Sequence, residues 1–180
     1  DGGRPVEGNG ALMRTVYPGL YCSTKGGAEI QARAFAEMTH RGDKSTEACI
    51  LYTRMVYLLT EAVNKYQDGN VADFLHECLK GTFYDASVEK PATYAAGGYV
   101  VDSRCTAVSC LAHAQTFEEA VCAAANLGGD TDTNAAITGG LAGAWFGFSA
   151  IPARWVDALA PGLRQDLDIL AAAAESHRSK

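Results

Sequence analysis

Residues 133–153 run without one charged side chain, and Gly139, Gly140, Gly143 and Gly147 all fall inside that stretch. Ala135, Gly139, Gly143 and Gly147 recur every fourth residue, and Ala136, Gly140 and Ala144 make the adjoining row. On a helix, such rows are ridges. Ridges this bare let neighbouring backbones approach closely, although each glycine costs about 1 kcal/mol of helix propensity. The arrangement is tolerable only where other helices pack around it. The run is long enough to raise a membrane span, but Asn134, Thr138, Ser149 and the acidic loop in front of it fit a buried helix better. Residues 133–147 are therefore expected to form a central rod.

The rest of the chain repeats the helical period. Residues 28–38 are rich in Ala, Glu and Gln, and residues 46–63 carry Ile50, Leu51, Val56, Leu58 and Leu59. Asn70 is a good N-cap for Val71, Phe74, Leu75 and Cys78, which follow at helical spacing. Residues 94–101 have strand propensity, but Val101, Cys105, Val108 and Ala112 recur at i, i+4, i+7 and i+11, which predicts a helix over 100–113. Thr116 and Glu119 fit a capping box opening a helix to Ala125, with Gly128 and Gly129 as its stop. A last helix is expected over 163–175. Residues 1–27 hold seven of the nineteen glycines and read as loop and turn, as do residues 81–91 and the IPARW segment from Ile151. No period-two alternation persists, so the fold class is all-α, a multi-helix bundle in one domain over 1–180.

A net charge of −6 argues against a basic nucleic-acid-binding face. The six cysteines show no CxxC pair and no metal-finger spacing, and most sit among aliphatic residues. Free thiols point to a reducing compartment, and DGGRPVEGNG has no apolar signal core, so a cytoplasmic protein is expected.

The rod opens on Gly128-Gly129-Asp130-Thr131-Asp132-Thr133. Capping needs one Asp or Thr, and four in a row exceed it. Two carboxylates this close repel unless a cation or strong donors sit between them. Alternate residues of a turn can aim two carboxylates and a hydroxyl at one hard cation such as Mg²⁺ or Ca²⁺. An EF-hand loop is excluded, because Ala135 and Leu141 stand where it needs Gly and Glu. A phosphatase D-x-D-x-T motif is excluded too, since Asn134 occupies its fifth position. Three further pieces have plain readings of their own. Gly8-Asn9-Gly10 is an Asn-Gly turn, His40 a helix C-terminal residue, and Gly97-Gly98-Tyr99 a helix lead-in.

Taken together, GNGALMR, MTH, GGYVV, GGDTDTNAAITGGLAGAWFG and IPARW resemble the ADP-ribosylglycohydrolase (DraG-like) family, in order and across nearly the whole chain. The resemblance implies an orthogonal all-α bundle with functional loops between its helices. It implies a hydrolase that cleaves the glycosidic bond between ADP-ribose and a side chain of arginine or serine type, or a related ADP-ribosyl compound. The cofactor it implies is Mg²⁺, as a pair of ions, with other divalent cations also chemically suitable. Asp130, Asp132 and Thr133 would be metal ligands. Gly8, Asn9 and Gly10 would line the ADP-ribose groove, His40 would sit beside the ribose and phosphates, and Gly98 with Tyr99 would pack against the adenosine end. The implied partner is ADP-ribose or an ADP-ribosylated protein, with no nucleic acid and no membrane.

Members of that family carry a further segment upstream of GNGxxMR, with a glutamate thought to be catalytic and a Thr-Asp-Asp cluster for the other half of the metal site. No TDD triplet occurs here, and Glu7 stands directly before the GNG. The expectation is that the chain corresponds to the C-terminal part of the family domain, with the catalytic acid not among its residues. Three readings stay open: part of a longer enzyme or one completed by a second chain, a minimal variant with altered metal use, and a non-catalytic module that binds ADP-ribose or a partner.

Overall fold

The computed structural model of the protein describes residues 7–63, 69–82, 84–93 and 96–178. These form ten α-helices and two short 3₁₀ turns, with no strand among the described residues. The helices are α1 (Val16–Tyr21), α2 (Lys25–Glu37), α3 (Asp43–Val63), α4 (Val71–Leu79), α5 (Ala86–Glu89), α6 (Val100–Ala112), α7 (Phe117–Asn126), α8 (Thr131–Phe146), α9 (Ala153–Asp157) and α10 (Pro161–Arg178). Of the stretch with strand propensity, Tyr94 and Ala95 lie outside the described residues, and α6 takes over at Val100.

The glycine-rich rod is α8, packed against α3, α6 and α7. Its bareness is used most fully at Gly140. A Cβ there would fall on the hydroxyl of Tyr52, which instead reaches past the backbone to donate to the carbonyl of Ile137 at 2.9 Å. Ile137 and Leu141 of α8 join Tyr52, Met55, Val56 and Leu59 of α3 and Val100, Val108 and Leu111 of α6 in one buried core. No helix among the described residues is long and apolar enough to cross a membrane.

Capping explains several helix starts. The side chains of Thr24, Asn70 and Thr116 accept from the backbone N–H groups of Gly27, Ala72 and Glu119. Each such cap is worth about 1 kcal/mol. At α7 the reciprocal half of the capping box is shifted by one residue: Glu119 accepts from the backbone of Gln115, not of Thr116. Gly128 and Gly129 both take positive φ and end the turn after α7.

Three segments expected as loops are helical. Residues 1–27 include a 3₁₀ turn at Leu12–Arg14, all of α1 and the start of α2. In α1, Pro18 sits in the first turn, where its missing N–H costs nothing, and Gly19 packs so close to Thr53 and Val56 that a Cβ would meet them at 2.8 Å. The glycine marks a helix crossing there, not a turn. Ala86–Glu89 forms the one-turn α5, and IPARW opens the short α9 after Pro152. The final helix, α10, has no buried residue and is held at its C-terminal end. There His177 stacks on Tyr21 at 4.0 Å, and Arg178 donates to Glu61 at 2.7 Å.

Candidate active site

Four sequence-distant pieces meet at one end of α8. Gly8 and Tyr99 pair as an isolated antiparallel bridge. The backbone N–H of Asn9 donates to the carbonyl of Gly98 at 2.9 Å, and that of Val100 donates to Glu7 at 3.0 Å. The two glycine motifs are thus stitched together, and Ser45 on α3 adds a hydroxyl bond to the Gly8 carbonyl at 3.2 Å. The second motif is tied to the acidic loop as well, since the N–H of Asp130 donates to Ala96 at 3.0 Å.

Asn9 turns inward. Its residue is 7% exposed, and its amide nitrogen donates both to Asp130 Oδ2 at 2.7 Å and to the buried hydroxyl of Ser103 at 2.9 Å. A structural job as N-cap does not account for Asp130. It occupies the N-cap position of α8 yet makes no side-chain cap bond there. The Asn9 hydrogen bond, working against partial desolvation, holds the Asp130 carboxyl below the usual carboxylate range. The N-terminus of α8 favours the same negative charge. Asp132 is exposed on the first turn and accepts from the backbone of Thr133 at 2.9 Å.

His40 lies just after α2, against the glycine loop. A Cβ added at Gly8 or at Gly10 would meet its ring at 3.3 and 3.2 Å. Arg14 fixes this corner: its Nε donates to the Gly10 carbonyl at 2.9 Å and its Nη2 to the Thr39 hydroxyl at 2.6 Å. That hydroxyl, already accepting from a guanidinium, has its own proton for His40 Nδ1 at 2.8 Å. The network assigns the remaining proton to Nε2, the nitrogen facing Gly8 and Gly10. Burial first and the Arg14 charge second depress the His40 pKa, so the ring is neutral at neutral pH. On the other side of the loop, Lys44 reaches the Tyr99 hydroxyl at 3.1 Å and the Glu7 carboxylate at 3.8 Å.

The geometry therefore brings Gly8, Asn9, Gly10, His40, Gly98, Tyr99 and Asp130 together, with Asp132 and Thr133 on the adjoining helical turn. Arg14, Thr39, Lys44 and Ser103 join them without having been singled out from the sequence. Arg14 and Thr39 carried a signal, as the last letter of GNGALMR and the middle letter of MTH. The donor chemistry suits a hard cation in kind, with two carboxylates and a hydroxyl. In number it is partial: among the described residues no three His, Cys, Asp or Glu side chains converge on one point.

A model of the family described as ADP-ribosylglycohydrolase matches residues 1–180. The chain is 30% identical over 163 residues to the ADP-ribosyl-(dinitrogen reductase) glycohydrolase of Rhodospirillum rubrum, covering 84% of this chain and 50% of that protein. It is 27% identical over 163 residues to the ADP-ribosylarginine hydrolase Tri1 of Pseudomonas putida, covering 86% of this chain and 43% of the relative. The Tri1 of Serratia proteamaculans is 45% identical over 62 residues, which is 34% of this chain and 17% of that protein. Among solved structures, an ADP-ribosylglycohydrolase-related protein complex superposes with a TM-score of 0.75 at 29% identity, over 96% of this chain and 61% of that one. The chain thus spans half or less of the length of the curated relatives it matches.

Proposed function

The chain belongs to the ADP-ribosylglycohydrolase family, and on that premise we propose that it serves hydrolysis of the bond between ADP-ribose and a modified side chain, of arginine or serine type. The observation that carries the proposal is the convergence of the two glycine motifs on Asp130, through the 2.7 Å bond from Asn9.

Each residue has a role its chemistry suits. The backbone N–H groups of Gly8–Gly10 suit a diphosphate, which lets a chain of net charge −6 hold an anionic ligand without a basic surface. His40, with its proton on Nε2, donates to a ribose or phosphate oxygen beside that loop. The Tyr99 ring, steadied by Lys44, packs against the adenosine end next to Gly98. Asp130, Asp132 and Thr133 hold a divalent cation, Mg²⁺ for preference. Once bound, a cation of this kind orients ribose hydroxyls and stabilises charge as the glycosidic bond opens. Asn9 fixes the rotamer of Asp130 and keeps it ionised.

A second reading rests on the donor count. Two carboxylates and one hydroxyl leave about half of an octahedral shell to substrate, water or a second chain. A chain so equipped that receives no further donors binds ADP-ribose without turning it over. The test is release of ADP-ribose from ADP-ribosyl-arginine and ADP-ribosyl-serine peptides, with Mg²⁺ and with EDTA. Metal-dependent release abolished in Asp130→Ala and Asp132→Ala supports the hydrolase. Metal-dependent ADP-ribose binding without release supports the binding module.

A further inference from the structure

Ser103 lies on the first turn of α6, fully buried, on a helix anchored in the core by Val100 and Leu111. A buried serine or threonine in a helix commonly gives its proton to the carbonyl three or four residues back. Thr138 of α8 does so, donating to Asn134 at 2.8 Å. Ser103 does not. Its hydroxyl donates to the carbonyl of Gly97 at 3.3 Å, in the loop ahead of its own helix.

That one proton decides the next contact. A carbonyl only accepts, so the Ser103 proton is spent on Gly97 and its oxygen has lone pairs alone to offer Asn9. The group that faces Ser103 at 2.9 Å must then be the amide nitrogen of Asn9, not its oxygen. The same nitrogen lies 2.7 Å from Asp130 Oδ2, and a carboxylate also only accepts. Both amide hydrogens are thereby assigned, one to each acceptor. Asn9 Oδ1 bonds to no described residue and is not sealed from solvent, so it is the acceptor left for a ligand hydroxyl.

The Ser103 hydroxyl thus touches Gly97 and Asn9 directly, and reaches Asp130 through Asn9. The glycine motifs do not depend on it to meet, because the backbone N–H of Asn9 donates to Gly98 at 2.9 Å. What the hydroxyl adds is the setting of the Asn9 side chain. It does so from a helix packed in the core, whereas Asn9 and Gly97 lie on loops.

We propose that Ser103 is a positioning residue of the site, which sets the Asn9 amide with its nitrogen on Asp130 and its oxygen free for the ligand. Ser103 itself contacts neither ADP-ribose nor the cation. The proposal rests on the site reading above and adds to it the group that orders the first glycine loop. Without the hydroxyl, one amide hydrogen has no acceptor and Asp130 alone holds the side chain.

The test uses the full chain labelled with ¹⁵N. The side-chain amide of Asn9 is identified by the pair of signals missing in Asn9→Ala. In wild type both of its protons resonate downfield of those of the exposed Asn70, as hydrogen-bonded protons do. In Ser103→Ala one of the two moves upfield and the other stays. Calorimetry in Mg²⁺ then shows ADP-ribose bound about fivefold more weakly, the worth of one neutral hydrogen bond. On an Asn9→Ala background the same substitution causes no further loss, because Ser103 acts through that amide. Ser103→Thr, which keeps the hydroxyl, keeps the amide pattern. Unchanged amide signals in folded Ser103→Ala, or an equal loss of affinity with and without Asn9, overturns the proposal. If Ser103→Ala does not fold, the wild-type spectrum decides, and Asn9 protons at the Asn70 position overturn it as well. Failure of wild type to bind ADP-ribose counts against the site reading, and the amide signals still decide the role of Ser103.

Discussion

The amide of Asn9 donates to the carboxylate of Asp130 at 2.7 Å, across 121 residues of sequence. The bond joins the first glycine loop to the cap of the central helix, and it is the chief reason the Asp130 carboxyl is held low. Replacing Asn9 by Ala removes the bond and leaves the buried Ser103 hydroxyl short of a donor. We expect the affinity for Mg²⁺ to fall about 10- to 100-fold, as when an outer partner of a metal ligand is lost. Stability should fall by about 1–3 kcal/mol. Calorimetric titration with Mg²⁺ and urea unfolding check the two parts separately.

The Thr39 hydroxyl sets the proton of His40, and Thr39→Val keeps the shape while removing it. The Arg14 Nη2 donor and His40 Nδ1 then both lose their partner. Nitrogen chemical shifts of the imidazole should move away from a single Nε2–H tautomer, and ADP-ribose should bind more weakly. Unchanged shifts would mean that the hydroxyl does not direct the proton.

The same histidine gives stability a pH dependence. Its folded pKa lies below the ordinary 6.5, because burial and then Arg14 oppose the charged ring. Between the folded value and 6.5 the unfolded chain binds a proton that the folded chain does not. Stability therefore rises with pH through that window, and is lost as pH falls from 6.5 toward the folded value. Urea unfolding at about pH 7 and at about pH 5.5 should show this loss, with a smaller loss in His40→Gln.

Two adjacent glycines of α8 should respond oppositely. A Cβ at Gly139 meets its nearest neighbour, Val121, at an ordinary 3.6 Å, whereas one at Gly140 collides with the Tyr52 hydroxyl. Gly139→Ala should gain up to about 1 kcal/mol from helix propensity. Gly140→Ala breaks the Tyr52–Ile137 bond and overfills a packed crossing, for a net loss of about 1–3 kcal/mol. Thermal unfolding of the pair is the check.

Arg104 is fully buried on α6, its guanidinium 3.4 Å above the Tyr84 ring and its three nitrogens without hydrogen-bond partners. Burial lowers its pKa to about 10, so it stays charged at neutral pH. The ring contact returns about 2 kcal/mol, while desolvating an ion costs several. Arg104→Met should therefore raise stability by about 1–2 kcal/mol in urea unfolding. A loss would mean that the stack on Tyr84 outweighs the desolvation.

Long helices with unbroken period were legible because one buried face imposes the spacing. On α6 the row read from the sequence, Val101, Cys105, Val108 and Ala112, packs against the core beside the fully buried Val100 and Leu111. The short α1, α5 and α9 were not, since a helix of four to six residues is made by tertiary packing and shows no period of its own. Gly19 looked like a turn because a close helix crossing and a turn ask for the same residue. In the site, the placing of Asp130 and Asp132 together on the turn that opens α8 was readable from their own neighbourhood. The inward turn of Asn9, the Thr39–His40 bond and the Lys44–Tyr99 contact were not. Each depends on which distant residue the fold delivers, and no local motif encodes that.

The central claim is that the Gly8–Gly10 loop, His40, Tyr99 and the Asp130 turn form one ADP-ribose site that works with a divalent cation. It is tested most directly by calorimetric titration of the folded chain with ADP-ribose, in Mg²⁺ and in EDTA, for wild type and Asp130→Ala. The account predicts binding that Mg²⁺ strengthens and that Asp130→Ala reduces to the level seen in EDTA. Absence of binding to the folded wild-type chain, or binding indifferent to both Mg²⁺ and Asp130, would contradict it.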